Sequence, residues 1–373
     1  LHGGGLGAAQ LRGHQPMTPE VDMASRTRRP QRPTRAQTGA ALLMAMITVA
    51  LVATLAAAAM WRQWRGVEVE AAERARVQSA WILTGALDWG RLILAGDLRE
   101  DRNRGYDADY LGEPWAVPLA EARLSTFLAA GEASSDTDRD AFLSGQVTDM
   151  QSRLNIMNLV AGTQPDQLTA LTRFGRLFDM LNLPSGEMGA LQRSLARADA
   201  AMRGTPQEDG ADAPLLPRRF EQLAWLGMTP ATLATLKPYV TVLPLVNQQV
   251  TPVNLNTASA QVIAAAIPDL DLARAQRIVV QRDSGFFRYP SDALKAVGAA
   301  DIKPDSWVST TSDFFEVRGR LRLDDVALEE VSVVQRQRTT RRVTTLWRER
   351  TALSVDLGAG SGQSGGALGN SLR

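Results

Sequence analysis

The feature that most limits this chain is an apolar run from Ala40 to Met60, broken only by Thr48 and Thr54. A helix needs about 20 such residues to cross a bilayer, because no water in the hydrocarbon core can satisfy an open backbone. Arg26, Arg28, Arg29, Arg32 and Arg35 precede the run. Basic flanks stay cytoplasmic, so everything after Met60 is expected on the far side of the membrane. Trp61 and Trp64 follow, where an interfacial aromatic belt would lie. The alternative is a cleaved secretory signal with an Ala-x-Ala site at Ala56 to Ala58. Residues 1–39, rich in Arg, Pro, Gly and Gln, read as an unstructured cytoplasmic leader, with Met23 an alternative start inside it.

The helical period continues past the apolar run. Val69, Ala72, Ala80, Leu83, Leu87 and Leu94 fall on one face. One helix from Ala40 to Ala95, with Gly66 as a kink site, would be on the order of 80 Å long at 1.5 Å per residue. Asp101 to Gly112 is polar and turn-rich, and Val147 to Leu159 reads as a strand. Short helices punctuated by Pro and Gly are expected over Leu168–Leu181, Met188–Met202, Phe220–Leu226, Pro230–Leu236, Ala258–Ala266, Leu272–Arg282 and Ser291–Val297. Phe220 to Gly227 echoes Ser291 to Gly298, each placing a Gly where a short helix stops. Phe315 to Leu323 alternates apolar and charged residues, the pattern of a half-buried strand, and Asp324-Asp325 would turn it. Val326–Val334 and Val343–Trp347 are further strand candidates, giving a C-terminal antiparallel sheet.

Cysteine is absent, and the only histidines, His2 and His14, precede the apolar run. Beyond that run, thiol and histidine catalysis and zinc-thiolate sites are all excluded. The balance of 41 basic to 40 acidic residues supplies no global field for nucleic acid. No enzymatic activity is expected.

Thr38-Gly39-Ala40-Ala41-Leu42-Leu43-Met44 resembles a type IV prepilin cleavage site. That resemblance implies cutting after Gly39, whose backbone is expected to be extended and accessible, and methylation of the new amine of Ala40. Further motifs follow in order: Glu113-Pro114-Trp115-Ala116, Asp149 to Leu159, Leu226-Gly227-Met228-Thr229-Pro230, Lys237 to Thr241, Val253 to Ser259, and Val343 to Glu349. From about Gly39 to Val355 the chain resembles the K-type minor pseudopilins of type II secretion systems. The resemblance implies an α+β fold: a pilin-like long N-terminal helix on an antiparallel sheet, with a large all-α insertion of helix-hairpin-helix type. It divides the chain into a leader removed by prepilin peptidase (1–39), a membrane segment (40–60), and a pilin-like domain in two parts (61–160 and 306–355). These parts flank a two-lobed insertion at 161–305 (lobes 161–245 and 252–305), and a disordered Gly/Ser tail closes the chain at 356–373. A single-pass inner-membrane protein with its bulk in the periplasm is implied. The implied partners are the I, J and H minor pseudopilins, the major pseudopilin, the prepilin peptidase and the inner-membrane platform. The implied role is at the tip of the pseudopilus, in starting its assembly for export of folded proteins. The fifth residue from Ala40 is Met44, where pilin-like subunits usually carry Glu.

The segment from Val253 to Leu294 also looks like the helix-hairpin-helix unit of DNA-uptake receptors, with Thr257 as an N-cap, which keeps a membrane-anchored DNA receptor as the rival reading. Its hairpin reads Asp269-Leu270-Asp271, and two carboxylates repel a phosphate, so no nucleic-acid partner is expected. Asp136, Asp138 and Asp140 lack the glycine and the twelfth-position carboxylate of a calcium loop. The family resemblance implies calcium on an acidic loop of the insertion. The matching stretch, Asp199 to Asp212, offers Glu208, Asp209 and Asp212 as ligands, or is simply a solvated loop.

Overall fold

The structure, a computed structural model, describes residues 37–123, 141–204, 213–323 and 326–354. It opens with a single helix, α1 (Gln37–Arg104). The chain divides into two compact units at Ala71. In the first, α1 turns its apolar residues outward: Leu42, Leu43, Met46, Ile47, Leu51 and Leu55 are all exposed. Among the described residues α1 is the one helix long and apolar enough to cross a membrane. No sequence break interrupts it at Gly66.

In the second unit the remainder of α1 lies on a five-stranded sheet in which every neighbouring pair is antiparallel. The strand order is β1 (Leu119–Arg123), β2 (Ala141–Asp149), β7 (Phe314–Leu323), β8 (Val326–Gln337) and β9 (Arg342–Ser354). Alternation along β7 sends Phe315, Val317 and Leu321 towards α1 and Glu316 and Arg318 to the other face. Leu83, Leu87 and Leu94 meet them and are fully buried. Each contributes about 1.5–3 kcal/mol by leaving water. Two glycines permit this approach. Gly319 sits under Leu83 and Leu87, and a Cβ on Gly90 would lie 2.7 Å from Val317 Cγ1. The seam begins at Ser79; Val69 and Ala72, expected on the same face, are exposed. The helix also outruns its expected end at Ala95. Asp97 and Asp101 continue the buried face beyond Ala95, and Gly105 at φ 75° closes the helix after Arg104.

A helical segment is inserted between β2 and β7. It contains two parallel strand pairs, β3 (Leu154–Asn155) with β4 (Val240–Thr241), and β5 (Val253–Asn254) with β6 (Val308–Ser309). Between β3 and β4 lie α2 (Gln164–Met180), α3 (Ser185–Met202), a 3-10 turn over Phe220–Leu226, and α4 (Pro230–Leu236). Between β5 and β6 lie α5 (Ala260–Ala266), α6 (Leu272–Ser284) and α7 (Pro290–Ala296). The two halves therefore repeat one plan, strand, helices, returning parallel strand. Their echoed short helices both end at left-handed glycines, Gly227 (φ 98°) and Gly298 (φ 70°). One hydrophobic core runs through both halves, around Phe174, Phe178, Leu195, Leu226, Ile263 and Ile278.

Several local expectations change. The stretch Val147–Leu159 is not one strand. β2 ends at Asp149, where the carboxylate caps a 3-10 turn, and Asn155 caps a second turn over Ile156–Val160. The cap of α5 is Ser259, which accepts from Val262 N, and not Thr257. Asn254 folds the chain first, accepting from Asn256 N, so the helix starts later. β1 was not expected at all. Asp324-Asp325 and the Gly/Ser tail lie outside the described residues.

Candidate functional site

The motif residues Asp149, Asn155, Asn158, Asn254, Asn256 and Thr257 converge where the helical insertion leaves the sheet. Asp149, almost fully buried, accepts from Gln151 N (2.8 Å) on Oδ1. Its Oδ2 accepts from Asn254 Nδ2 (3.0 Å), Thr257 Oγ1 (2.6 Å) and Ser312 Oγ (2.6 Å). Burial raises its pKa, and the bonds from Ser312 and Thr257 oppose the rise. Asn158 exchanges two hydrogen bonds of 2.9 Å with the backbone of Thr251, and Asn256 does the same with Phe287. Each amide thus pairs a loop backbone that has no strand partner there. Asn155 likewise binds Leu243 N and O. These side chains set how the insertion is held on the sheet.

A second polar centre closes the end of α1. Arg336, fully buried, donates to Asp97 (2.7 Å), to Asp109, and to Ser312 O (2.8 Å), with Phe315 packed on its guanidinium. Arg338 donates to Asp109 (2.7 Å) and Asp313 (2.9 Å) and pairs with Asp107. Glu113 accepts from Trp115 Nε1 (2.6 Å) and Tyr110 N (3.2 Å). Burial pushes Glu113 up to about 8, reinforced by Asp97. Burial likewise lifts Asp101 to about 7, with repulsion from Asp97, Asp107 and Asp109. Asp97 is also raised by burial, against the pull of Arg336. Burial works against the charges on Arg336 and Arg338, yet the carboxylates around them hold both pKa values above the ordinary arginine value. Sequence reasoning missed this centre. One signal was available: Asp97 and Asp101 continue the spacing of Leu83, Leu87 and Leu94.

The face of α1 opposite the sheet carries an apolar stripe. Val77, Trp81 and Leu92 are 54%, 72% and 65% exposed, with exposed Gly85 between them at the same helical spacing. Large apolar side chains exposed in a row are a general feature of helix-docking surfaces.

At the membrane end, Gly39 and Ala40 lie inside the first turns of α1, so Gly39 is helical here and not extended. A Cβ on Gly39 would meet nothing within 4 Å, and Met44 is exposed with the rest of the apolar run.

The hairpin of the helix-hairpin-helix segment carries carboxylates where a phosphate-binding hairpin would offer free N–H groups. Asp271 Oδ1 accepts Arg274 N (2.7 Å), occupying the start of α6 with a carboxylate, and Asp269 sits in the left-handed region at φ 64°. Arg176 from α2 donates to the hairpin carbonyls of Ile267 and Leu270, at 2.9 Å each. The calcium candidates Glu208, Asp209 and Asp212, like Asp136, Asp138 and Asp140, lie outside the described residues. Asp199, at the start of that stretch, pairs with Arg203 at 2.8 Å.

Residues 152–245 and 253–313 match two family models, each described as type II secretion system (T2SS), protein K. Together they cover the inserted helical segment. No curated protein matches the chain in sequence. Among solved structures, a chain in the crystal structure of the GspK-GspI-GspJ complex from the enterotoxigenic Escherichia coli type 2 secretion system is similar, with a TM-score of 0.57. The two are 17% identical, and the match covers 75% of this chain and 98% of that one.

Proposed function

We propose that this chain, which belongs to the type II secretion system protein K family, is a minor pseudopilin that caps the periplasmic pseudopilus and helps start its assembly. The observation that carries the reading is the exposed stripe Val77, Trp81, Gly85 and Leu92, which lies opposite the sheet-facing leucines. A pilin-like partner would supply a second helix to cover it, the small Gly85 admitting close approach. The partners proposed are the I, J and H minor pseudopilins, the major pseudopilin and the inner-membrane platform. The run from Ala40 to Met60 would anchor the chain in the inner membrane, the bulk lying in the periplasm. Prepilin peptidase would cut after Gly39, which requires the first turn of α1 to unwind there; glycine makes that step easier than any other residue. With neither Cys nor His after the apolar run, thiol and histidine chemistry are excluded there, and the role proposed is structural.

Position at the tip rests on Met44. A carboxylate in the bilayer is costly unless paired. A subunit with no neighbour above it has no amine to pair with, and an apolar residue there avoids the cost. The bulk of the helical insertion would also obstruct a subunit stacking above.

The test exploits the absence of cysteine: Trp81→Cys creates a single thiol. Crosslinks from it should reach another pseudopilin, with one copy per filament at one end. Labelling along the whole shaft, or no co-purification with pseudopilins, would refute the tip role. Mass spectrometry of the same membrane-extracted chain should read Ala40 as its N-terminus, and an N-terminus near Ala59 would indicate ordinary signal-peptide removal.

A further inference from the structure

We propose that the groove between the outer face of the sheet and the helical insertion docks a short peptide segment of another protein, one that carries a carboxylate beside a bulky apolar side chain. Three sequence motifs far apart in the chain meet there, through Arg153, Lys237, and the pair Trp347 and Glu349. The floor is the face of β7, β8 and β9 turned away from α1, and the insertion forms the wall. The cavity measures about 870 Å³. A second cavity of about 410 Å³ adjoins it, and Arg218, Val242, Val333 and Trp347 line both. Spaces of roughly 300–1,000 Å³ hold ligands of drug size, so the occupant is a few residues and not a folded domain.

The two cavities differ in chemistry. The smaller is walled by Met157, Met202, Leu216, Leu245 and Leu346, and suits an apolar side chain. The larger is ionic, and its charges do not balance. Arg318 holds Glu316 (2.9 Å) and Glu329 (3.2 Å), and Arg219 holds Glu349 (2.7 Å). Glu221 stands 3.6 Å from Lys237. Every carboxylate lining the larger cavity therefore has a cation, whereas the guanidiniums of Arg153 and Arg218 have no partner among the described residues. One unpaired surface arginine would carry no argument. Here two open into one groove whose acids are all taken, and a guanidinium is built to grip a carboxylate with two parallel bonds. Where the cavities join, Arg219 stacks on Trp347, 4.9 Å from the ring centroid, and its bond to Glu349 fixes it there. The junction is thus held in shape before anything binds, which lowers the cost of docking. The α1 stripe lies on the opposite side of the sheet, so the groove is a separate surface and does not depend on the tip role.

The experiment uses the full chain in detergent and fluorescein-labelled peptides, read by anisotropy. One peptide alternates Glu with Leu and Phe, a second replaces its Glu by Lys, and a third replaces its apolar residues by Ser. Only the first should bind, and more weakly as salt rises. Arg153→Glu with Arg218→Glu should weaken it about tenfold or more, because like charges then face each other across the contact. Met202→Glu, at a position 63% exposed, should weaken it about fivefold by spoiling the apolar end. Arg277→Glu, an exposed arginine on α6, should change nothing. If the double variant fails to fold, Met202→Glu supplies the same comparison. No binding by the parent, equal binding of the lysine peptide, or an equal loss in Arg277→Glu would overturn the proposal. Binding that appears only after Glu208→Gln, Asp209→Asn and Asp212→Asn would make the chain's own acids the occupant. A parent dimer broken by the double variant would make a second copy the occupant, and either result would overturn it too.

Discussion

Replacing Asp149 by Ala tests whether its carboxylate ties the insertion to the sheet. The substitution leaves four donors without their acceptor: Gln151 N, Asn254 Nδ2, Thr257 Oγ1 and Ser312 Oγ. Two keep other partners. Asn254 Nδ2 still reaches Asp109 O at 3.0 Å, and Thr257 Oγ1 reaches Asn254 O at 3.4 Å. Gln151 N and Ser312 Oγ lose most, at about 1–3 kcal/mol for each stranded buried donor. Removing a buried carboxylate recovers part of its own desolvation cost, so the net loss should be about 3 kcal/mol, a large share of the 5–15 kcal/mol typical of a folded domain. The assay is urea unfolding of a soluble fragment spanning the second compact unit, from Ala72 onward, followed by tryptophan fluorescence. Ser312→Ala should cost about 1 kcal/mol alone and less once Asp149 is gone, because the Ser312–Asp149 bond is then already lost and only the bond from Asn254 Nδ2 to Ser312 Oγ (3.0 Å) remains to be removed. An Asp149→Ala fragment within about 0.5 kcal/mol of the parent, or strictly additive losses, would refute the reasoning.

Three further outcomes follow from other parts of the molecule. Gly90→Ala should lower stability by about 1–2 kcal/mol in the same assay, because overpacking against Val317 outweighs the gain in helix propensity. Stability should fall as pH rises from about 5 to about 8, read by melting temperature. Glu113 and Asp101 bind protons more tightly folded (about 8 and about 7) than unfolded, so their stabilisation is present at low pH and lost through those folded values. The groups facing them are Asp97, Arg104, Asp107, Asp109, Tyr110, Arg336 and Arg338. The same fragment should show no salt-sensitive duplex binding in an anisotropy titration, since Asp271 occupies the start of α6.

What could be read from the sequence depended on the range of the interaction that carries it. The long helix, the strand Phe314–Leu323 and the short helices of the insertion were readable because spacing and caps act within a few residues. Pro230–Leu236 is where turn chemistry put it, and Gly227 and Gly298 stop their helices as expected. β1 was not readable, because its residues are almost all exposed and leave no alternation. The pairings within the polar centres were unreadable for a different reason. Arg336 lies 239 residues from Asp97, and Ser312 lies 163 from Asp149. No local pattern marks an arginine at the end of an alternating strand as the partner of an aspartate at the end of a helix. The motifs that carry the family resemblance show the same division. Asp149, Asn254, Asn256 and Thr257 stood out as letters in order, yet nothing nearby explained them. Their hydrogen bonds do: they replace the strand partners that the chain forfeits where it leaves the sheet for the insertion and where it returns. The part of the sequence that looked most like a binding signature is therefore the part that holds the insertion in place. The surface proposed for other pseudopilins is the row of apolar residues on α1, which the sequence presented only as more of the same helix.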